Sequence, residues 1–177
     1  MPELVAQRFD ESRLALVADL DCGDDKFGQV ATDWIRSTEE SDSALADIRN
    51  RGTLVWLYYE NDGSRPVGFG SVGTTTRKNR RGTQTWAIIP HIGIDVAFRR
   101  CPEGAPWNER YSAQIMLHLI RCAESLDTDG NLLLYVHTEN LGARKLYDRL
   151  GFTAIGQPNP HQFQKMMLSL PSEPATV

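Results

Sequence analysis

The stretch from Asn131 to Phe152 places two groups that can do chemistry on one strand-and-helix unit. Leu132 to Val136 is an apolar run too short for a typical helix, which predicts a buried strand. Thr138 or Asn140 can cap the following helix, whose apolar face carries Tyr147. A phenol with an ordinary pKa of about 10 can give a proton to a departing anion, so Tyr147 is a candidate catalytic acid. The alternative is that Tyr147 is a core aromatic and Asn140 only a cap.

A second stretch, Trp86 to Phe98, carries ionisable groups on one face of a predicted strand. Apolar residues alternate there with polar ones, so one face is continuously apolar and the other displays His91 and Asp95. These two are candidate general bases, acting directly or through a water, and His137 is a third. The alternatives stay open: Asp95 can form a salt bridge to an arginine, and His91 can be a surface or hydrogen-bonded histidine.

The rest of the chain predicts the elements that position these groups. Hydrophobic periodicity and turn signals give a strand, two helices, a hairpin, a strand, a helix, a strand, a helix and two strands. The stretches are Leu4 to Phe9, Phe27 to Trp34, Ser41 to Asn50, Thr53 to Glu60, Pro66 to Thr74, Trp86 to Phe98, a helix from about Arg110, Asn131 to Phe152, Thr153 to Ile155 and His161 to Leu170. This order predicts an α/β fold: a mixed, mostly antiparallel sheet of six to seven strands flanked by about four helices. We expect one domain over residues 1–170 and a flexible tail over 171–177.

Composition narrows the function classes. An apolar fraction of 41% and a charged fraction of 24% are those of a soluble globular protein. No apolar run approaches the roughly 18 residues of a membrane span, and no signal-peptide pattern is seen, so we expect a cytoplasmic protein with no membrane partner. The three cysteines and four histidines are scattered, which argues against a disulfide framework or a metal site.

The net charge of −4 argues against a general nucleic-acid partner. Only a local basic patch would reverse that expectation. The polar stretch Thr75 to Thr83, predicted to be a loop, carries Arg77, Lys78, Arg80 and Arg81. Charge runs of this kind are usually solvated loops, but this is the one place where an anionic acceptor could be steered.

Asn140, Ala143, Tyr147, Gly151 and Phe152, at these spacings after a strand, resemble the last conserved block of the GNAT superfamily of acyl-CoA-dependent N-acyltransferases. The order of elements is also similar to the GNAT order, so the resemblance covers most of the chain. It implies an N-acetyltransferase that moves an acetyl group from acetyl-CoA to a primary amine by direct attack, without a metal. Asn140 would then contact the cofactor, and Tyr147 would lie beside its sulfur as general acid.

The resemblance also assigns the rest of the cofactor site. Backbone amides around Ile94 and Val96 would bind the oxyanion and the pantetheine arm, because GNAT strands separate at this point and the cofactor pairs with the free edge. GNAT proteins usually carry Gln/Arg-x-x-Gly-x-Gly/Ala at the next helix start, where bare amides cradle the pyrophosphate.

This sequence departs from that glycine pattern. The two glycine positions fall on Arg110 and Ser112, on either side of Tyr111. We expect the side-chain charge of Arg110, with Arg99 and Arg100 nearby, to help hold the diphosphate instead. The missing glycines also motivate a rival from another class, a non-catalytic GNAT-fold module that binds a ligand or a protein.

The acceptor stays open between a small-molecule amine and a peptide amine, and a homodimer is also left open. The turn Asp21-Cys22-Gly23 is similar to a Cys-Gly turn in toxin-type GNAT proteins that acetylate aminoacyl-tRNA. Together with the basic residues Arg77 to Arg81, it keeps that acceptor as a further alternative, against which the net charge argues.

Overall fold

Strands and helices follow each other largely in the order that the periodicity predicts. The computed structural model describes residues 2–61, 63–79, 82–99 and 106–171. The strands are β1 (Leu4–Arg8), β2 (Leu54–Glu60), β3 (Gly68–Asn79), β4 (Gly82–Ile89), β5 (Ile92–Ile94), β6 (Asn131–His137), β7 (Thr153–Ile155) and β8 (Phe163–Ser169). The α-helices are α1 (Lys26–Arg36), α2 (Ala44–Arg51), α3 (Tyr111–Glu124) and α4 (Leu141–Arg149), and 3-10 helices cover Glu11–Val17, Val96–Phe98 and Trp107–Glu109.

The strands form the mixed α/β sheet that the sequence predicts. Hydrogen bonds order them as β1, β2, β3, β4, β6, β8 and β7, with β5 attached to β3. The pairs β1–β2, β2–β3, β3–β5, β6–β8 and β7–β8 are antiparallel, and β4–β6 is parallel. The fold class is therefore confirmed, with eight strands rather than six to seven. No helix of the described residues is long and apolar enough to cross a membrane.

The chain builds two compact units, and neither is one continuous segment. Unit 1 comprises Met1–Gly73 and His91–Leu119, and unit 2 comprises Thr74–Pro90 and Ile120–Val177. β3 and α3 each pass from one unit into the other. The single domain expected over residues 1–170 stays a prediction, and residues 172–177 lie outside the described part of the chain.

Each unit has its own buried apolar residues. In unit 1 the core joins the inner faces of β2 and β3 to α1 and α2; its members include Trp34, Ile35, Leu45, Val55, Leu57 and Phe69. In unit 2 one face of β6 and β8 is buried together with side chains of α4 and of the residues that follow it; the buried residues include Leu132, Leu134, Val136, Met166, Tyr147 and Phe152.

The predicted polar loop from Thr75 to Thr83 is wrong over most of its length. β3 continues to Asn79 and β4 begins at Gly82, so the basic residues follow a long hairpin. Arg80 and Arg81 lie outside the described residues. Threonines have a high strand propensity, and the Arg77 guanidinium lies 5.8 Å from the centroid of the Trp86 ring on the next strand. These features favour a hairpin although its residues are polar.

The single strand predicted from Trp86 to Phe98 is also wrong, because it is broken at Pro90. The parallel ladder between β4 and β6 covers only Ala87 to Ile89. Proline has no N–H to extend a ladder, and the chain turns away from β6 to pair β5 with β3. Asp95 then caps a 3-10 helix, accepting a hydrogen bond of 2.9 Å from the Ala97 N–H.

Gly93, at the middle of β5, is needed for close packing in unit 1. A Cβ at this position would lie 2.4 Å from the Phe69 ring and 2.7 Å from Cys22 Sγ. We therefore expect Gly93→Ala to lower the free energy of unfolding by about 1 to 3 kcal/mol in a urea titration, as overpacking does.

The matched control for this prediction is Gly142→Ala. A Cβ at Gly142, in α4, would meet only Asn140 Oδ1, at 4.0 Å. This change should leave stability equal or raise it, because alanine has the higher helix propensity. If both variants unfold at the same urea concentration, the packing argument for Gly93 is wrong.

Candidate active site

Asp95, predicted as a general base, is fully buried and held by three donors. Its carboxylate forms an ion pair with Arg65 and accepts hydrogen bonds from the N–H groups of Asp21 (3.0 Å) and Ala97 (2.9 Å). The ion pair and the two N–H donors occupy both carboxylate oxygens within the fold. The geometry therefore fits the salt-bridge alternative for Asp95.

His91 lies in a different environment. Its ring stacks on Trp34 of α1, with centroids 4.0 Å apart, and neither ring nitrogen hydrogen-bonds to the described residues. Burial lowers the pKa of His91 to about 4, against the opposing charges of Asp47 and Asp42. The imidazole is therefore neutral at pH 7, and a neutral imidazole is the form that accepts a proton.

Two residues that the sequence analysis did not single out hold this ring in place. The Trp34 indole N–H donates to Asp47 Oδ2 at 3.1 Å, and Asp47 Oδ1 lies 3.1 Å from Arg51 one helical turn later. Asp47 is only 6% exposed, so the hydrogen bond that fixes the indole is buried. The sequence feature that could have pointed to Asp47 is its i, i+4 spacing from Arg51, but this spacing of opposite charges is common on helices.

The edge of β5 offers backbone amides. In its register with β3, Gly93 faces Phe69 in a hydrogen-bonded pair, so the N–H groups of Ile92 and Ile94 point to the other edge. The described residues place no strand on that edge. The predicted amide of Ile94 therefore keeps its donor capacity, and Ile92 joins it. The amide of Val96 does not, because it donates to the Asp21 carbonyl at 2.7 Å.

Arg99, expected near a diphosphate, is engaged elsewhere. Its guanidinium donates to the carbonyls of Cys22 and, at 3.2 Å, Ile94, and lies 3.6 Å from the carboxylate of Asp25. It thus ties the end of β5 to the turn before α1. Arg100 lies outside the described residues.

The start of α3 carries the three residues that replace the glycine pattern. Arg110 is exposed and extended, and its carbonyl accepts the N–H groups of Ala113 and Gln114, both at 3.0 Å. Tyr111 is buried, and its hydroxyl donates to Glu60 of β2. Ser112 is half-buried. Of the three, Arg110 has the exposure and charge to meet a phosphate.

In unit 2, the turn after β6 fixes Asn140 at the start of α4. Its side-chain oxygen accepts from Ala143 N at 3.1 Å, and its N–H donates to the His137 carbonyl at 2.9 Å. Asn140 is thus a helix cap through Oδ1, while Nδ2 makes no hydrogen bond within the described residues. His137, the third base candidate, lies 3.8 Å from the Glu139 carboxylate.

Tyr147 is buried in unit 2, where its ring packs against Phe152 with centroids 5.9 Å apart. Burial raises the pKa of Tyr147 to about 12, so the phenol keeps its proton throughout the physiological range. Its hydroxyl forms no hydrogen bond with the described residues. A core tyrosine usually finds a partner for its hydroxyl, so this group is one that a ligand can engage.

Comparison with known proteins places this geometry in a familiar fold. No protein-family model and no curated protein matches the sequence. Among solved structures, the NatC complex bound to Gag peptide and CoA aligns at 15% identity over 96% of this chain and 99% of that chain, with a TM-score of 0.62.

Two further solved structures align with this chain over a similar length. A mutant AtaT toxin, bound to the C-terminus of the antitoxin AtaR and acetyl-CoA, aligns at 13% identity over 94% of this chain and 93% of that one, with a TM-score of 0.62. An acetyltransferase of the GNAT family from Staphylococcus aureus aligns at 14% identity over 95% and 99%, with a TM-score of 0.59. The chain has the GNAT fold, as the resemblance in its sequence implied.

The depressed pKa of His91 predicts a dependence of stability on pH. The unfolded state binds a proton at His91 near pH 6.5, whereas the folded state binds it only near pH 4, so the free energy of unfolding falls as pH is lowered through this window. Relative to His91→Gln, the wild type should lose on the order of 2 to 3 kcal/mol between pH 7 and pH 4 in urea titrations. The exposed His161→Gln should behave as wild type; equal losses in all three proteins would contradict the assignment.

Proposed function

We propose that this protein is an N-acetyltransferase that transfers an acetyl group from acetyl-CoA to a primary amine by direct attack. The observation that carries the proposal is the hydroxyl of the buried residue Tyr147, which makes no hydrogen bond within the described residues, on the helix that Asn140 caps, in a chain with the GNAT fold. Structures of this fold are bound to CoA or acetyl-CoA, which supports the same co-substrate here. An assay that follows free CoA release in the presence of a panel of amines and peptides tests it directly.

Acetyl-CoA supplies the acetyl group as a thioester, whose carbon–sulfur bond breaks as the amide bond forms. Tyr147 gives its proton to the departing thiolate, a step that its protonated state at neutral pH permits. The N–H groups of Ile92 and Ile94 donate to the thioester carbonyl and the pantetheine amides along the free edge of β5.

His91 takes the proton that the attacking amine must lose, directly or through a water. Its neutral imidazole and its fixed stacking on Trp34 support this role over Asp95, whose carboxylate is bound to Arg65 and two amides. After each turnover Tyr147 takes up a proton from solvent and His91 releases one to it, so both groups return to their starting state.

Residues at the starts of α3 and α4 supply the remaining contacts to the cofactor. Arg110 pairs with the diphosphate at the start of α3, and Asn140 donates from Nδ2 while Oδ1 keeps the cap of α4. Arg99 is left out of this set, because its guanidinium already binds two carbonyls and Asp25. A peptide amine is supported as acceptor by the Gag peptide seen on NatC, and a small-molecule amine stays an alternative.

A second candidate function is a non-catalytic module with the same fold. Two observations favour it: side chains stand at the glycine positions of α3, and Arg99 is engaged within unit 1. Such a module would bind a ligand or a protein without turnover. Binding of acetyl-CoA without CoA release on any amine would favour this candidate.

Tyr147→Phe separates a catalytic role from packing. Removal of the hydroxyl should lower kcat by roughly 100- to 10,000-fold, the range of a lost general acid, while calorimetric affinity for acetyl-CoA stays within a factor of about two. The matched control is Tyr135→Phe, which removes an exposed hydroxyl from β6 and should not change kcat. Unchanged turnover in Tyr147→Phe would reduce this residue to a core aromatic.

Calorimetric titration with acetyl-CoA tests the cofactor site, and absence of binding to the wild type would refute the enzyme proposal. Arg110→Ala should weaken acetyl-CoA binding by about tenfold, as loss of a charge-assisted contact does, and leave binding of acetyl-pantetheine, which lacks the diphosphate, unchanged. Arg149→Ala, at the end of α4, is the charge-matched control. Equal affinity of wild type and Arg110→Ala would mean that the phosphates bind elsewhere.

A further inference from the structure

One face of the sheet in unit 2 gathers aromatic and basic side chains. Tyr135 pairs with Lys165 and His137 with Phe163 between β6 and β8, and Leu133 pairs with Ile88 of β4. Directly paired residues share a face, as do residues two apart on a strand. We call this the Trp86 face; its members are Trp86, Ile88, Leu133, Tyr135, His137, Phe163, Lys165 and Met167, with the Arg77 side chain over Trp86.

Helix α4 lies on the opposite face. A side chain at Gly151, which follows α4, would be 3.4 Å from Cδ1 of Leu168. Leu168 pairs with Leu132, so both point away from the Trp86 face. Large aromatic residues are left open to solvent on the Trp86 face, where Tyr135 is 51% exposed and Phe163 38%.

Two cations flank Trp86. Lys165 Nζ lies 4.8 Å and Arg77 Cζ 5.8 Å from the ring centroid, and neither forms an ion pair with a carboxylate of the described residues. Partial burial, and then the charge of Arg77, lower the pKa of Lys165. The indole N–H is itself buried without a hydrogen-bond partner in the described part of the chain. The fold therefore keeps two like charges together, uncompensated, on an aromatic ring.

The local charge is opposite to that of the whole protein. The strand residues of the Trp86 face include no Asp or Glu, although the net charge of the chain is −4. Two acids lie at neighbouring positions: Glu139 beside His137 at the end of β6, and Asp129, whose carboxylate accepts from the Thr85 N–H next to Trp86. Arg77 and Lys165 form the local basic patch that would overturn the expectation against nucleic acid, and an anion placed between them would relieve their repulsion.

We propose that the Trp86 face binds a single-stranded nucleic-acid segment, with phosphates at Arg77 and Lys165 and bases stacked on Tyr135 and Phe163. Charge complementarity selects an anionic partner. The exposed rings then favour bases over an acidic peptide, because every base offers a flat π face for stacking and most peptide side chains do not. The site lies within unit 2 and requires neither acetyl-CoA nor turnover, so it stands or falls separately from the acetyltransferase proposal.

The test is fluorescence anisotropy with a labelled single-stranded RNA oligonucleotide of mixed sequence, measured over a salt series on the full chain. Two phosphate contacts predict that the logarithm of the association constant falls with the logarithm of salt concentration with a slope of about −1.4. Arg77→Gln or Lys165→Gln should each bring the slope to about −0.7. Arg149→Gln, an exposed arginine of α4, is the control and should leave the slope unchanged.

Stacking is tested separately from charge. Tyr135→Ala should weaken binding by on the order of tenfold or more without changing the salt slope, and Tyr135→Phe should bind as wild type because the ring is retained. Since Tyr135 is exposed, circular dichroism of the alanine variant should match the wild type. Equal binding by Tyr135→Ala and wild type would overturn the stacking arrangement.

Three outcomes overturn the proposal as a whole. One is no binding of the oligonucleotide at low salt. Another is equally strong competition by an acidic peptide of the same charge, which would assign the face to a protein partner. The third is a dimer in sedimentation velocity that is lost in Tyr135→Ala, which would assign the face to a second copy of this chain.

Discussion

The buried carboxylate of Asp95 is the interaction on which unit 1 depends. Asp95 has no exposed surface, so water cannot stabilise its charge. The Arg65 guanidinium and two backbone N–H groups, whose hydrogen bonds the carboxylate accepts, do so instead. Those partners come from three parts of the chain, and together they fix where β5 ends. Once β5 is held on β3, its second edge is left with free amides, and His91 is held against α1. The chemistry proposed for this protein therefore rests on a residue that takes no part in it.

Positive charge is stabilised in two ways in this protein. Arg65 and Arg99 of unit 1 have carboxylate partners, Asp95 and Asp25. Arg77 and Lys165 of unit 2 lie against the Trp86 ring instead, as Arg8 of unit 1 lies against Trp56, and a π system stabilises a cation without cancelling its charge. A cation on a ring can still attract an anion from solvent. The net charge of a chain thus says little about the field above one face of it.

Short-range features could be read from the sequence, and long-range ones could not. Strand β6, α4 and a cap at Thr138 or Asn140 were predictable because the signals lie within a few residues of each other, and the structure selects Asn140. The break at Pro90 was missed because alternation continues beyond it, and the length of β3 was missed because its last residues are all polar; only the strand pairing decides either. The role of Asp95 was left between two readings because its partners are distant in sequence: Arg65 is 30 residues away and Asp21 is 74. The Trp86 face was hidden in the same way, across β3, β4, β6 and β8.

The interleaving of the two units limits the order in which they can fold during synthesis on the ribosome. Unit 1 needs residues on both sides of the segment 74–90, which itself belongs to unit 2. During synthesis β2 and β3 are therefore complete before β5 and the first turns of α3 have been made, and the apolar surface that these later elements cover stays exposed until then. No single cleavage of the chain would therefore give two fragments that each hold one complete unit, because any cut leaves residues of one unit in the fragment that carries the other.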